Sequence, residues 1–338
     1  EQARRLLHVS NIFTIPEQIK LGDTLCELSG MDRVFFGNSG AEANEACIKL
    51  SRLHGRSKGI ASPKVIVTDG SFHGRTMATL TATGNEKVQN GFEPLVEGFL
   101  RVPYNDLEAI RKLASERDDV VAVHVEPVQG EGGVNLPDAD YLPGIRALCD
   151  EHDWLMMLDE VQTGIGRTGR WFGFQHYDIK PDVMALAKGL GGGIPIGACL
   201  ACGKAAELFA PGSHGSTFGG NPLVCTAAQT VIDVIRDKGI CDNAEAQGQR
   251  LRDGLAKALA GVDGVVNIRG QGLINGIELD RPCGELVKAG VDAGILINVT
   301  NNSVVRLIPP LVLSDDETEL VVEKVSTLIS TFLQQQDD

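Results

Sequence analysis

The stretch VMALAKGLGGG, residues 183–193, places a single lysine between an apolar run and a cluster of glycines. The run Val183–Ala187 is apolar throughout rather than alternating, which is typical of a strand buried on both faces of a parallel sheet. Burying an unpaired lysine at the end of such a strand costs free energy and lowers the pKa of its amine. Lys188 therefore either reaches water or serves a ligand that needs an amine at this point of the sheet.

Similar apolar runs alternate with helical patterns along the first two thirds of the chain. The predicted strands are Val34–Phe36, Lys64–Thr68, Val120–Glu126, Trp154–Asp159, Val183–Ala187 and Ile196–Cys202. The predicted helices are Ala41–Gly55, Ala139–His152 and the stretch after Asn221. This alternation predicts an α/β fold with a mainly parallel sheet flanked by helices.

The pattern changes near residue 240. Two helices, Ala244–Leu259 and Asp315–Gln334, are predicted to flank the short strands Val265–Arg269, Leu273–Glu278, Ile295–Asn298 and Val304–Ile308. We therefore expect a large α/β domain over residues 1–240 and a smaller α+β domain over residues 241–338. Within the smaller domain, Asn275 is a polar residue where the strand pattern calls for an apolar one.

Composition disfavours several classes of protein. The 338 residues include 31 basic and 45 acidic side chains without a basic block, which argues against binding to nucleic acid or to an anionic membrane surface. The absence of a long apolar run and of a signal-peptide pattern predicts a cytoplasmic protein. The eight cysteines are spaced singly, except for Cys199 and Cys202, and we expect them reduced in the core, with no metal site.

In open α/β sheets ligands bind beyond the carboxyl ends of the strands, so the residues that follow each strand are the first candidates. Ser39 follows the first strand and is a candidate helix cap, with Gly40 and Ala41 at the start of the next helix. Free N–H groups at such a helix start bind phosphate, although an ordinary capped helix has the same pattern.

The loop after the second strand carries a flat and a charged side chain. Phe72 and His73 stand beside a glycine and present faces on which a planar ligand can stack, and Arg75 can bind a carboxylate. Taken alone, a solvated surface loop explains these residues equally well.

Carboxyl groups close two further strands. Glu126 ends one strand and is followed by Glu131 in a glycine-rich loop, and Asp159 and Glu160 end the next strand. Paired acids occur in glycosidases and divalent-metal sites, but successive strand residues point to opposite faces, so Asp159 and Glu160 are not expected to share one site. Asp159 closes an apolar strand and needs a cationic or N–H partner.

Lys188 closes the strand predicted after the one that ends at Asp159, so both side chains can project from the same edge of the sheet. An amine, a carboxylate, a phosphate-binding helix start and an aromatic face match the aldehyde, ring nitrogen, phosphate and ring of pyridoxal phosphate. A nucleotide-dependent oxidoreductase is disfavoured, because the sequence has neither a Walker motif nor a dinucleotide fingerprint.

Seven motifs in order carry a resemblance to a known family: FFGNSGAEANEA, SFHGRT, VEPVQGEGG, LDEVQTGIGRTG, ALAKGLGGGIPIGA, HGSTFGGNP and VVRLIPPL. With them the sequence resembles, over nearly its whole length, the class III aminotransferases of fold type I, and among these the acetylornithine aminotransferases. The resemblance implies the fold type I architecture, a mainly parallel sheet flanked by helices with a smaller C-terminal α+β domain. It also implies pyridoxal 5'-phosphate as the cofactor.

The resemblance implies a role for each matching residue. Lys188 would bind the cofactor covalently and act as the catalytic base, Asp159 would pair with the protonated ring nitrogen, and Glu131 would mask Arg306. The other implied contacts are with the phosphate (Ser39, Gly40, Ala41 and, from the neighbouring subunit, Thr217), with the rest of the cofactor (Phe72, His73, Glu160, Val161 and Gln162) and with the substrate (Arg75, Glu126, Glu131, Ser216 and Arg306).

The resemblance further implies a ping-pong transamination of N2-acetylornithine with 2-oxoglutarate to N-acetylglutamate 5-semialdehyde and glutamate, in arginine biosynthesis, by a homodimer with shared active sites. N-succinylornithine, ornithine and 4-aminobutyrate are alternative donors, and a non-catalytic cofactor-binding protein is an alternative of another class. A mere binder has no need for the intact Lys188, Asp159 and Gln162. The family's segment upstream of Glu1, which carries part of the substrate pocket, is not in this sequence, so the acyl-group preference stays open.

Overall fold

The computed structural model describes residues 1–334, so residues 335–338 of the predicted small domain lie outside the described part. The strands are β1 (Arg33–Gly37), β2 (Lys64–Thr68), β3 (Phe99–Val102), β4 (Val120–Val125), β5 (Leu155–Asp159), β6 (Val183–Leu186), β7 (Gly197–Ala201), β8 (Val265–Gln271), β9 (Ile274–Leu279), β10 (Asn298–Thr300) and β11 (Val304–Leu307). The α-helices are α1 (Gln2–Arg5), α2 (Pro16–Ser29), α3 (Gly40–Ser57), α4 (Met77–Ala82), α5 (Glu86–Gln89), α6 (Leu107–Glu116), α7 (Tyr141–Glu151), α8 (Pro222–Asp237), α9 (Ile240–Ala258), α10 (Leu286–Asp292) and α11 (Asp315–Gln334).

The larger sheet has the strand order β1-β7-β6-β5-β4-β2-β3. Neighbours from β3 to β6 pair in parallel, whereas β7 runs antiparallel to both strands beside it. Every residue of β4, β5, β6 and β7 is buried, as their uninterrupted apolar runs predict. The predicted α/β fold with a mainly parallel sheet is confirmed.

Helices cover both faces of this sheet. Ile48 of α3 lies in the same apolar cluster as Leu155 of β5. Met156, the next residue of β5, lies instead in the cluster with Leu25 of α2 and Ile145 of α7 on the other face. The alternation follows from the pleat of the strand, and it leaves the carboxyl ends of β4, β5 and β6 open beside the start of α3. No helix within residues 1–334 is both long and apolar enough to cross a bilayer.

The smaller sheet has the order β10-β11-β9-β8 and is antiparallel throughout. It packs against α9 and α11 through an apolar cluster that includes Leu251, Ile277 and Ile329. The division of the chain into domains 1–240 and 241–338 remains a prediction, and the two sheets lie on either side of it. Gly239, with a φ of 61°, separates α8 from α9 at that point.

Two details of the sequence prediction change in the smaller sheet. The strand predicted at Ile295–Asn298 is wrong for its first three residues, because the N–H of Ile295 donates to the carbonyl of Gly290 (2.9 Å) and continues the end of α10. Asn275 is fully buried on β9, where its Nδ2 donates to the carbonyl of Gly272 (3.1 Å) and its Oδ1 accepts from Arg252 (3.0 Å). A buried amide with both ends hydrogen-bonded is readily tolerated.

Candidate active site

A cavity of ≈ 470 Å³ opens at the carboxyl ends of β4, β5 and β6, next to the N-terminus of α3. It lies where open α/β sheets bind their ligands. The predicted site residues that line it are Ser39, Gly40, Ala41, Phe72, His73, Arg75, Glu126, Asp159, Val161, Gln162 and Lys188. Segments distant in sequence therefore meet around one space large enough for a cofactor and a small substrate.

The start of α3 forms an anion-binding cradle at one end of this cavity. Ser39 caps the helix, since its Oγ accepts a hydrogen bond from the N–H of Glu42 (3.2 Å). A Cβ at Gly40 would lie 3.0 Å from both Cγ atoms of Val161, and one at Gly197 would lie 2.1 Å from the carbonyl oxygen of Ser39. Only glycine at 197 allows β7 to approach Ser39 so closely, and the free N–H groups of an 18-residue helix then face the cavity.

Asp159 lies at the end of β5 and is buried at the base of the cavity. Its Oδ2 accepts hydrogen bonds from Asn44 Nδ2 (2.7 Å) and from His73 Nδ1 (2.8 Å), and its Oδ1 accepts one from the N–H of Val161 (3.0 Å). Burial raises the pKa of Asp159, but the hydrogen bond and charge of His73 and the charge of His124 outweigh it, so the net pKa is lowered. A carboxylate held in this way can pair with a cationic ring nitrogen.

Two polar residues around Asp159 are absent from the sequence prediction. Asn44 Oδ1 lies 3.1 Å from His124 Nε2, and the ring of His124 lies 4.2 Å from that of His73. His73 is therefore fixed against the carboxylate, which leaves Phe72 as the half-buried aromatic side chain beside the cavity. Nothing in the sequence around Asn44 marks it as a site residue, except that it shares α3 with the cradle.

Lys188 is the first residue of a short 3-10 helix (Lys188–Gly191) after β6, and its side chain lines the cavity. Its side chain is exposed to the open space, and within residues 1–334 it forms no ion pair. Desolvation by the surrounding protein lowers the pKa of Lys188, and the nearby charges of Asp159 and Glu126 oppose this shift without cancelling it. Its backbone has a φ of 44°, a conformation that a non-glycine residue adopts at a cost and that is common at functional sites.

Glu126, at the end of β4, is buried between two loops that border the cavity. Its Oε2 accepts from the N–H of Phe72 (3.1 Å) and its Oε1 from the N–H of Gly130 (3.3 Å). Burial, with the charge of Asp159, raises its pKa. Since both oxygens bind backbone groups, Glu126 joins the loop of Phe72 to the loop of Glu131.

Two arginines lie at or beside the cavity: Arg75 lines it, and Arg306 contacts the lining residue Gln162. Arg306 of β11 is 8% exposed, and its Nη1 lies 2.7 Å from Glu131 Oε1 and 3.2 Å from Gln162 Oε1. Arg75 is exposed, with its guanidinium carbon 5.4 Å from the centre of the Phe72 ring. One guanidinium is therefore covered by a carboxylate, and the other is open to a ligand.

Glu160, for which a cofactor contact is predicted, does not line the cavity. Its carboxyl group accepts hydrogen bonds from the N–H groups of Gly173 and Phe174, at 2.8 Å each, and from the hydroxyl of Thr163. It points away from the cavity because Asp159, its neighbour in the chain, points toward it. Burial raises the pKa of Glu160 to about 7.

Ser216 and Thr217 do not line this cavity. They lie in the loop before α8, where Ser216 Oγ accepts from Asn38 Nδ2 (3.2 Å) and Thr217 is exposed. The expected contact of Thr217 with the phosphate of a neighbouring subunit and that of Ser216 with the substrate remain predictions. The cysteines Cys199 and Cys202 are both buried, as predicted. Cys199 Sγ lies 3.6 Å from Cys47 Sγ, and Cys202 Sγ donates to the carbonyl of Pro181.

The sequence profile of the family described as Aminotransferase class-III matches residues 1–329. The chain belongs to the class III aminotransferases. It is 56% identical to the acetylornithine aminotransferase of Nitrosomonas europaea, covering 99% of this chain and 85% of that protein, and 49% identical to that of Gloeobacter violaceus, covering 94% and 80%. An ornithine aminotransferase structure from Toxoplasma gondii superimposes with a TM-score of 0.95 at 35% identity, over 100% of this chain and 82% of that one.

Class III aminotransferases are enzymes that depend on pyridoxal phosphate. The cavity fits this group in three respects: the N–H cradle at Ser39 can hold a phosphate, Asp159 can hold a protonated ring nitrogen, and the amine of Lys188 can bind an aldehyde. A side chain larger than that of Gly40 would crowd Val161 at the cradle. The bound group supplies an electron sink, and the protein supplies its orientation and the acid–base chemistry.

Proposed function

We propose that the protein transfers the amino group of N2-acetylornithine to 2-oxoglutarate, giving N-acetylglutamate 5-semialdehyde and glutamate, as a cytoplasmic enzyme of arginine biosynthesis. The observation that carries this proposal is the 56% identity to an acetylornithine aminotransferase over 99% of the chain. Lys188, Asp159, Gln162 and Arg75 line one cavity, and Arg306 contacts Gln162 beside it.

Each side chain of the cofactor end has a distinct task. The N–H groups at the start of α3 would hold the phosphate, Asp159 would pair with the protonated ring nitrogen, and Phe72 and Gln162 would contact the rest of the cofactor. Lys188 would act as the base that accepts a proton from the substrate carbon. A lowered pKa favours this task, because it increases the fraction of the amine that is unprotonated at a given pH.

The two half-reactions place different demands on the substrate end. Acetylornithine brings one carboxylate, whereas 2-oxoglutarate brings two. Arg75, which is exposed, binds the carboxylate that both substrates share. Arg306 binds the second carboxylate of 2-oxoglutarate, and Glu131 neutralises it while acetylornithine occupies the site. A carboxylate that covers or releases one guanidinium lets a single cavity serve both substrates.

A homodimer with shared sites is part of the proposal. Several apolar side chains near the N-terminus are exposed, among them Ile12 and Phe13. Asn11 ties this segment to the loop of Thr217 by donating to the carbonyls of Ser216 (2.9 Å) and Gly219 (3.0 Å). A second copy of the chain would cover this apolar surface and bring Thr217 to its phosphate. Sedimentation velocity checks the dimer, and a monomer at micromolar concentration would contradict it.

Steady-state rates with four donors test the substrate. We expect kcat/KM for N-acetylornithine to exceed those for N-succinylornithine, ornithine and 4-aminobutyrate, with 2-oxoglutarate as the acceptor. The same donor should bleach the near-visible absorbance band of the bound cofactor in the absence of an acceptor. Another donor with a higher kcat/KM would overturn the substrate assignment, and an unchanged spectrum with all four donors would overturn transamination.

A further inference from the structure

Residues 130–135, here called the gate loop, follow β4 of the large sheet but are fastened to the small one. A single guanidinium, that of Arg269 on β8, bonds to three consecutive residues of this loop. Its Nε donates to the carbonyl of Val134 (2.9 Å), and its Nη2 donates to the carbonyl of Gly133 (2.6 Å) and to Asn135 Oδ1 (3.4 Å). Glu278 on β9 pairs with the same guanidinium from the other side. The planar fork of arginine suits such multiple contacts.

Two further strands of the small sheet hold the start of the gate loop. The hydroxyl of Thr300 on β10 donates to the carbonyl of Glu131. Arg306 on β11 pairs with the carboxylate of the same residue (2.7 Å). The backbone of Glu131 and the guanidinium that it covers are therefore anchored to one antiparallel sheet.

The gate loop is strained at the point that Arg269 binds. Val134 has a φ of 52°, a left-handed conformation that is a genuine outlier for a β-branched residue, and it is fully buried against Val128 and Ile274. Such a conformation costs about 1–3 kcal/mol and persists only where its surroundings fix it. The two carbonyls that Arg269 binds lie on either side of this Cα, so the arginine holds the strained segment in place.

We propose that Arg269 is a positioning residue that keeps Glu131 over Arg306 and thereby sets how readily the site admits a dicarboxylate. This inference rests on the proposed function, in which Glu131 acts as a gate: it covers Arg306 while acetylornithine occupies the site and releases it for 2-oxoglutarate. Because the loop backbone is fastened to the sheet that carries Arg306, Arg306 is uncovered by rotation of the Glu131 side chain rather than by movement of the loop. Without Arg269 the loop relaxes, and the covered state becomes less populated.

Binding of unreactive acids to the cofactor-loaded enzyme tests the inference. Glutarate carries two carboxylates and pentanoate carries one, and isothermal titration gives the Kd of each. We expect Arg269→Met to strengthen glutarate binding relative to pentanoate by about two- to fivefold, since the covering ion pair is partly exposed. Arg250→Met is the matched control, because Arg250 lies in the same predicted domain and, within residues 1–334, pairs only with Asp315 and Glu319. This control should leave the ratio unchanged.

Glu131→Gln separates the two proposals. If Glu131→Gln changes the glutarate-to-pentanoate ratio and Arg269→Met does not, the positioning role is refuted and the gate stands. If Glu131→Gln leaves the ratio unchanged, the gate itself is refuted. In the double variant, Arg269→Met should add nothing further, because no carboxylate remains to be positioned. Arg269→Lys keeps the charge opposite Glu278 but cannot bond to three residues of the gate loop. If Arg269→Met does not fold, the glutarate-to-pentanoate ratio of Arg269→Lys tests the positioning role instead.

Discussion

The two ends of the active-site cavity are built in different ways. The cofactor end consists of residues at the carboxyl ends of buried parallel strands and at the start of α3, so the rigid sheet itself places Asp159 and the cradle. The proposed substrate end lies beside the lining residue Gln162 and depends on a loop from one sheet that is held by side chains from another, with Glu131 and Arg306 brought together across the two. In the proposed mechanism, the first arrangement fixes the chemistry and the second allows a choice between substrates.

The largest effect is expected at the cofactor end, from Lys188→Ala. Loss of both the attachment point and the base should lower kcat by about 10⁴-fold, at the upper end of the range for a positioned acid–base group. Stopped-flow measurement of each half-reaction checks this. Lys112→Ala is the matched control, since Lys112 is exposed and its one ion pair among the described residues is a long surface pair with Glu116. A Lys188→Ala enzyme that still turns over at the rate of the control would show that Lys188 is neither the attachment point nor the base.

Asp159→Asn tests the second group of the cofactor end. The substitution keeps the shape but removes the charge that would hold the ring nitrogen protonated, so kcat should fall by about 10²–10³-fold in both half-reactions alike. The cofactor content, measured by absorbance after gel filtration, separates weaker binding from slower chemistry. A loss confined to one substrate would show that Asp159 belongs to the substrate end instead.

The contrast between the two ends also decides how much the sequence can predict. Asp159, Lys188 and the cradle follow from apolar runs and the residues that close them, because strand ends in a parallel sheet share one edge. Asn44 and His124 were missed, since each lies within a regular element and acts through a hydrogen bond that only the tertiary structure shows. The partners of Arg269 come from a separate sheet, and no local pattern marks a contact of that kind.

Glu131→Gln acts on the substrate end alone. An amide cannot neutralise Arg306, so kcat/KM for N-acetylornithine should fall relative to that for 2-oxoglutarate by about fivefold, equivalent to about 1 kcal/mol for a partly exposed ion pair. Single-turnover rates with each substrate measure the two half-reactions separately. Unchanged rates in both half-reactions would show that Glu131 does not control access to Arg306. They would not affect the roles proposed for Lys188 and Asp159.

The smallest effect on activity is expected from Glu160, which lies beside Asp159 in the chain but on the other face of the sheet. Burial raises the pKa of Glu160 to about 7, whereas its hydrogen-bond and charge partners leave the pKa of Asp159 lowered. Between the ordinary pKa of a glutamate and pH 7, the folded protein keeps a proton on Glu160 that the unfolded chain has lost. The folded state then binds more protons, so this group's contribution to stability falls as the pH rises through that window.

Glu160→Gln removes the titration while keeping a neutral side chain of similar size. Chemical denaturation at pH 5 and pH 8 should show that the wild-type protein loses about 2 kcal/mol more than the variant over this interval. The kcat of the variant should stay within about twofold of the wild type, because the group faces away from the cavity and about 0.4 kcal/mol corresponds to twofold. Parallel stability curves would mean that Glu160 is ionised in the folded protein, and a large fall in kcat would mean that the two faces of β5 are not independent.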